Sequence, residues 1–176
     1  MYKRLGISPR AFSLPFQVTF STPGFQYILP TEAHLIPYVH AITSDPVIVQ
    51  NLNITHVPEM ISLTDLTKPG PFSERTIEFD NYVGIFINGQ LVAMGGERMQ
   101  MPIFTELSAL CTHPSYLGRG FGSIILSYLA NRVFRNGKIP FLHVRANNTN
   151  AIKLYERLGF VKRADMLVTL FTTPDV

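Results

Sequence analysis

Hydrophobic residues recur along this chain with two different periods, and the switches between them mark strands and helices. The segment YVGIFINGQLVAMGGERM (82–99) is two apolar-rich runs joined by Asn88-Gly89. That dipeptide tolerates positive φ at both turn positions, so a β-hairpin is predicted here. A further strand is predicted in FTELSALCT (104–112), where alternation sets Glu106, Ser108, Leu110 and Thr112 on one face. From Gly122 to Arg135 the period becomes helical, with Ile125, Leu126, Leu129 and Val133 as the apolar stripe. IPFLHVRA (139–146) returns to strand. Asn148 to Leu158 is helical again through Ala151, Leu154, Tyr155 and Leu158, and Gly159 is placed to end it. ADMLVTLFT (164–172) closes the pattern as a strand.

The N-terminal part is less regular. FQYIL (25–29) reads as a short strand. TEAHLIPYVHAI (31–42) has helical spacing through Leu35, Ile36, Val39 and Ile42, although Pro37 sits inside it. Pro58 suits the first turn of a helix reaching about Leu66, because a proline there removes no needed donor. TKPGPFSERT (67–76) is a loop by its Pro-Gly-Pro content. Residues 1–24 are poorly patterned and read as an arm or added edge piece, which leaves 25–176 as one domain. Strands come first and β-α-β-α-β follows. The fold class is therefore α/β of the α+β type, with a mixed, mostly antiparallel sheet flanked by helices.

Composition narrows the function classes. The chain has 176 residues, enough for one full core, and is 46% hydrophobic and 15% charged. No apolar run reaches the roughly 20 residues that cross a bilayer, and the N-terminus lacks a sustained apolar segment, so no signal peptide is expected. One cysteine, Cys111, excludes an internal disulfide and fits a reducing compartment. The net charge of +3 is mild and spread out, which argues against nucleic acid but favours a small polyanionic ligand. A soluble cytoplasmic protein without a membrane partner is the expectation. The five histidines (His34, His40, His56, His113 and His143) show no ligand spacing, so no metal is expected.

The chemistry begins at LGRGFGSIIL (117–126), where glycines at 118, 120 and 122 lead straight into a helix. The first turn of a helix has unpaired N–H groups and a partial positive charge. Glycines before it let an anion approach the backbone, and Arg119 adds a full charge beside it. No Lys-Ser/Thr follows, so this is not the P-loop, and the spacing is not that of the dinucleotide fingerprint. A glycine-rich turn with no ligand accounts for the loop equally well.

A second cluster bears on that choice. HVRANNTNAIKLYERLGF (143–160), together with CTHPSYLGRGFGS (111–123), resembles the CoA-dependent N-acetyltransferases of the GNAT superfamily over roughly residues 77–172. The resemblance looks closest to the branch that shares its C-terminal half with glycine N-acyltransferases. The loop comes first, and Asn-x-x-Ala-x-x-x-Tyr-x-x-x-Gly-Phe follows through Asn148, Ala151, Tyr155, Gly159 and Phe160.

The resemblance implies acetyl-CoA as the acyl donor and a primary amine as the acceptor, in a small molecule or a peptide. It implies that the main chain of Gly118, Arg119, Gly120, Phe121, Gly122 and Ser123 holds the CoA diphosphate. The family's Arg or Gln at the head of this loop falls on Leu117, a departure that Arg119 partly offsets. Leu110, Cys111 and Thr112 would offer backbone groups to the pantetheine amides. Asn148 would contact the pantetheine arm, and it equally suits an N-cap.

Tyr155 would protonate the departing thiolate, since a phenol of ordinary pKa is protonated at neutral pH; its bland reading is a core aromatic. Glu106 is the candidate base, acting through water, with a surface strand carboxylate as the competing account and Glu97 as a weaker alternative. Gly159-Phe160 reads as structural. A covalent route through Cys111 needs a partner that lowers its pKa, and only His113 is near in sequence. The family's direct attack in a ternary complex is therefore expected. The amine would enter beside the 31–76 region, with loop 67–76 as a specificity element. Rival readings are a non-catalytic CoA-binding sensor of the same fold and transfer to a protein N-terminus or lysine. A homodimer is compatible with each.

Overall fold

Asn88 and Gly89 take positive φ, 50° and 77°, and turn the chain back on itself as a tight hairpin. That hairpin supplies the second and third strands of a seven-stranded sheet. In this computed structural model the described residues are 17–32, 35, 49–79 and 81–172. The strands are β1 (Gln17–Ile28), β2 (Val49–Asn51), β3 (Val83–Ile87), β4 (Gln90–Gln100), β5 (Phe104–Thr112), β6 (Ile139–Arg145) and β7 (Val161–Thr172). The helices are α1 (Val57–Thr67), α2 (Phe121–Arg135) and α3 (Thr149–Arg157). The strands lie in the order β2-β3-β4-β5-β6-β1-β7. Every neighbouring pair is antiparallel except β5 with β6, which α2 joins as the crossover.

Two apolar layers hold the sheet. The α2 stripe of Ile125, Leu126, Leu129, Ala130 and Val133 is buried with Leu107, Leu142, Val144 and α3's Tyr155. Gly95 lets α2 approach closely, because a Cβ there would sit 2.9 Å from Ile125 Cγ2. On the opposite face, Met60 and Leu63 of α1 pack with Leu52, Tyr82, Met94 and Cys111.

The start of β1 differs from the sequence expectation. β1 starts at Gln17 and not at Phe25, so residues 17–24 extend that strand and pair with β7. Pro23-Gly24 looks like a turn in sequence. In the fold Gly24 instead permits a close strand approach, since a Cβ would meet the Val144 carbonyl oxygen at 2.8 Å. The helix expected over 31–42 lies almost wholly outside the described residues. Met99 and Met101 are exposed near the far end of the hairpin.

The shared face expected for Glu106, Ser108, Leu110 and Thr112 is also broken. Ala109 has φ +53°, and the register against β4 slips by one residue between Met94–Cys111 and Gly96–Ser108. This is a β-bulge. It places Leu107 and Leu110 under α2, and Ala109 and Cys111 under α1. β5 and β6 pair only from Phe104–Ile139 to Glu106–Phe141, and a gap opens beyond.

Gly96 sits against the Tyr82 ring, where an added Cβ would lie 2.4 Å from Cδ1. Tyr82 is fully buried and has little room to move. Gly96→Ala is expected to destabilise the protein by about 1–3 kcal/mol, the usual range for overpacking. Thermal unfolding checks this; an unchanged Tm would mean that the ring is not held against the strand.

Candidate active site

At the end of β5 the chain is shaped by three local devices. His113 Nδ1 accepts the Ser115 N–H at 3.2 Å and folds Pro114–Tyr116 into a short turn. Gly118 and Gly120 take φ of 78° and 81°, which non-glycine residues rarely adopt. Gly120 is the N-cap of α2 and supplies no side-chain cap, so the first-turn N–H groups face outward. Gly122 is a glycine for a different reason: a Cβ there would lie 3.4 Å from Leu154 Cδ2 and 3.7 Å from Thr112 Oγ1. The loop, the end of β5 and α3 therefore meet at this point.

Side chains add little to the loop beyond charge. Phe121 and Ser123 are buried, so only their backbone is available. The Ser123 hydroxyl accepts from Arg157 Nη2 at 3.5 Å. Leu117 is 66% exposed and offers an incoming anion no hydrogen bond. Arg119 lies over the Tyr116 ring at 4.8 Å, a cation–π contact between neighbours in the turn that leads into α2.

From the bulge onward β5 is paired with β4 on one side only, and the backbone of Leu110, Cys111 and Thr112 is open toward β6. Asn148 caps α3 by accepting the Ala151 N–H on Oδ1 at 3.2 Å. The cap uses only the oxygen and leaves the Asn148 amide donors available, so the cap and a ligand contact are compatible. Tyr155 is 7% exposed, tilted against Tyr27 and Phe160, and its hydroxyl makes no hydrogen bond among the described residues. Burial pushes its phenol up to about 12. Gly159 ends α3 at φ +88°, and Phe160 is a core residue.

Cys111 is not built as a nucleophile. Burial pushes its thiol up to about 11, against weaker opposing hydrogen bonds from Thr67 and the Met94 backbone. His113, the partner considered for it, is committed to its own turn.

Glu106 is not a surface carboxylate. It is 1% exposed and clamped by Arg98, at 2.9 Å to Oε2 from Nε and 2.6 Å to Oε1 from Nη2. His143 Nδ1 lies 2.7 Å from Oε1. Burial alone would raise this carboxyl, but the hydrogen bonds from His143 and Arg98, and their charges, hold it below the ordinary range. A carboxylate so occupied is a poor proton acceptor.

The sequence pattern gave no sign of Arg98 or His143. The one available signal was alternation, since His143 stands between the buried Leu142 and Val144 and so must face the other way. Glu97 opposes Leu107 on the α2 face and is held by Asn81, by Gln100 and by Arg132 at 3.6 Å. Arg132 lies eleven residues along α2 from Phe121, roughly 16 Å down the axis from the glycine loop. Glu97 is therefore remote from the loop. Among the described residues no group of three or more His, Cys, Asp or Glu is arranged to hold a metal.

Comparison with known proteins bears on the same region. Residues 82–169 match the family model described as FR47-like protein. The ribosomal protein bS18-alanine N-acetyltransferase of Salmonella typhimurium is 31% identical over 117 residues, covering 62% of this chain and 77% of that protein. A solved structure described as a GNAT-family acetyltransferase from Novosphingobium aromaticivorans is 33% identical, with TM-score 0.78 over 92% of this chain and 69% of its own. The bS18-alanine N-acetyltransferase structure from Escherichia coli shares the fold, with TM-score 0.61, 22% identity and coverage of 74% and 97%.

The Glu106 clamp has a pH signature. Its carboxyl is lowered in the fold, so the ion pairing contributes stability fully present above about 4.5 and lost as pH falls through the folded value. Glu106→Gln is expected to cost about 2–3 kcal/mol at neutral pH, less than the roughly 3–5 kcal/mol of a fully buried pair because Arg98 is partly exposed. The difference in Tm from wild type should shrink as pH drops below that point. A difference independent of pH would contradict the clamp.

Proposed function

Because the chain belongs to the GNAT superfamily of acetyltransferases, in the FR47-like family, we propose a residue-level assignment for acetyl transfer from acetyl-CoA to a primary amine. The observation that carries it is the parting of β5 and β6 after Glu106–Phe141, next to the uncapped start of α2. The CoA diphosphate sits against the N–H groups of Gly118 to Ser123, with Arg119 as the nearby charge. The pantetheine arm lies along the open edge of Leu110, Cys111 and Thr112 as an added strand would, with Asn148 donating from its amide. The thioester then lies in the gap between the two faces of the sheet.

Tyr155 approaches from the α2 and α3 face and gives its proton to the departing sulfur. A phenol at about 12 keeps that proton through the neutral range. The amine attacks the thioester carbonyl directly, and Cys111 carries no acetyl group. A phenol on the face of the gap that keeps its proton through the neutral range suits an acid for the departing thiolate, which supports an enzyme over a CoA sensor.

The relatives named as alanine N-acetyltransferases of a ribosomal protein point to the α-amine of a polypeptide as the first acceptor to test. The finer placement beside the glycine N-acyltransferases rests on the two motifs alone. A cytoplasmic location rests on the lone cysteine and on the absence, among the described residues, of a helix long and apolar enough to cross a membrane.

Acetyl-CoA is expected to raise the Tm, and release of CoA thiol should be seen over a panel of alanine-initiated peptides and free amines. Tyr155→Phe should lower kcat about 100-fold, within the usual range for general acid–base catalysis, with little change in KM for acetyl-CoA. Turnover equal to wild type would remove Tyr155 from the mechanism. Cys111→Ala should keep turnover, and mass spectrometry of the wild type after exposure to acetyl-CoA should show no acetyl adduct; loss of turnover with an adduct at Cys111 would establish the covalent route instead.

A further inference from the structure

Building on the acetyl-transfer reading above, we propose that His143, held by Glu106, is the base that takes a proton from the attacking ammonium. His143 sits two residues past the last β5–β6 pair, on the β6 edge of the gap. Glu106 is the β5 residue of that last pair, so the carboxylate–imidazole contact spans the apex where the strands part. Leu142 and Val144 are buried with Tyr155 on the α2 and α3 face. Alternation puts His143 on the other face, so acid and base flank the gap from opposite sides.

The hydrogen-bond chain fixes which imidazole nitrogen is basic. Arg163 is a donor only and bonds Gln26 Oε1. The Gln26 amide nitrogen is thereby turned toward His143 Nε2, at 3.0 Å. Two donors cannot share that contact, so Nε2 accepts and the ring proton is on Nδ1, donated to Glu106. In this structure the Gln26 N–H holds the Nε2 lone pair, so the attacking ammonium takes the place of the Gln26 contact when it donates. His143 keeps 20% of its side chain exposed against 1% for Glu106, so the imidazole and not the carboxylate can be reached. The groups around the ring are Glu106 of β5 with Arg98 of β4 behind it, Gln26 of β1 with Arg163 of β7 behind it, and Phe141 edge-on at 5.6 Å.

The proton count closes. The ammonium gives one proton to Nε2, and its freed electron pair forms the C–N bond. The C–S bond breaks, with its electron pair leaving on sulfur. Sulfur takes the Tyr155 proton, and Tyr155 recovers one from the acetylated nitrogen. Imidazolium, its Nδ1–H still donated to Glu106, returns its proton to solvent. Glu106 is a positioning residue in this scheme.

The test uses the full chain and two readouts. Nitrogen NMR of the wild-type protein at mildly alkaline pH should show His143 protonated on Nδ1 only; an Nε2–H ring overturns the proposal. This holds even where no amine in the panel turns over. His143→Asn retains a donor toward Glu106 but accepts no proton at that site. It should lower kcat about 100-fold or more, leave acetyl-CoA affinity unchanged, and make the residual rate climb with hydroxide. Wild-type kcat in this variant, or a fall in acetyl-CoA affinity that accounts for the loss, contradicts the role. Failure of the wild type to bind acetyl-CoA sinks the acetyl-transfer reading itself, a result separate from either His143 readout.

Discussion

Beyond Glu106 and Phe141, the facing edges of β5 and β6 carry backbone donors and acceptors with no ladder between them. Buried main-chain polar groups need partners, so a sheet interior with an open seam calls for something to fill it. The bulge at Ala109 turns β5 away at this seam, and α2 and α3 pack beneath it so that the strands do not simply close. The Glu106–His143 contact closes the apex. Every other part of the proposed site is placed by this seam: the glycine loop at its open end, Tyr155 on one face and His143 on the other.

Charge is distributed to match. At the mouth, the proposed diphosphate site offers main-chain N–H groups and one guanidinium held over Tyr116, while Leu117 supplies no hydrogen bond. At the apex a single buried carboxylate is balanced by Arg98 and His143. Such an arrangement costs desolvation and is retained where it fixes a particular group in a particular state. Here it fixes the ring proton of His143.

Much of this could be read from the residues. Asn88-Gly89, the α2 stripe and the run from Asn148 to Phe160 carry strong local patterns, and those elements formed as expected. What the sequence hid depends on distant pairing. Residues 17–24 are strand because β7 offers an edge, and Pro23-Gly24 disguises this. The Ala109 bulge is invisible because alanine seldom takes positive φ, so plain alternation misassigned the faces of β5. Glu106 read as a candidate base or a surface carboxylate, and its clamp was hidden because Arg98, His143 and Gln26 come from three other strands. Their meeting depends on strand order, which periodicity does not report.

The central claim is that CoA fills the seam between β5 and β6. Backbone amide hydrogen exchange with and without CoA tests it most directly. The account predicts slowed exchange at Leu110 to Thr112 and at Gly118 to Ser123, with β2 and the β3–β4 turn unaffected. Protection confined instead to the groove between α1 and that turn, around Glu59, Leu66 and Gln90, would contradict it.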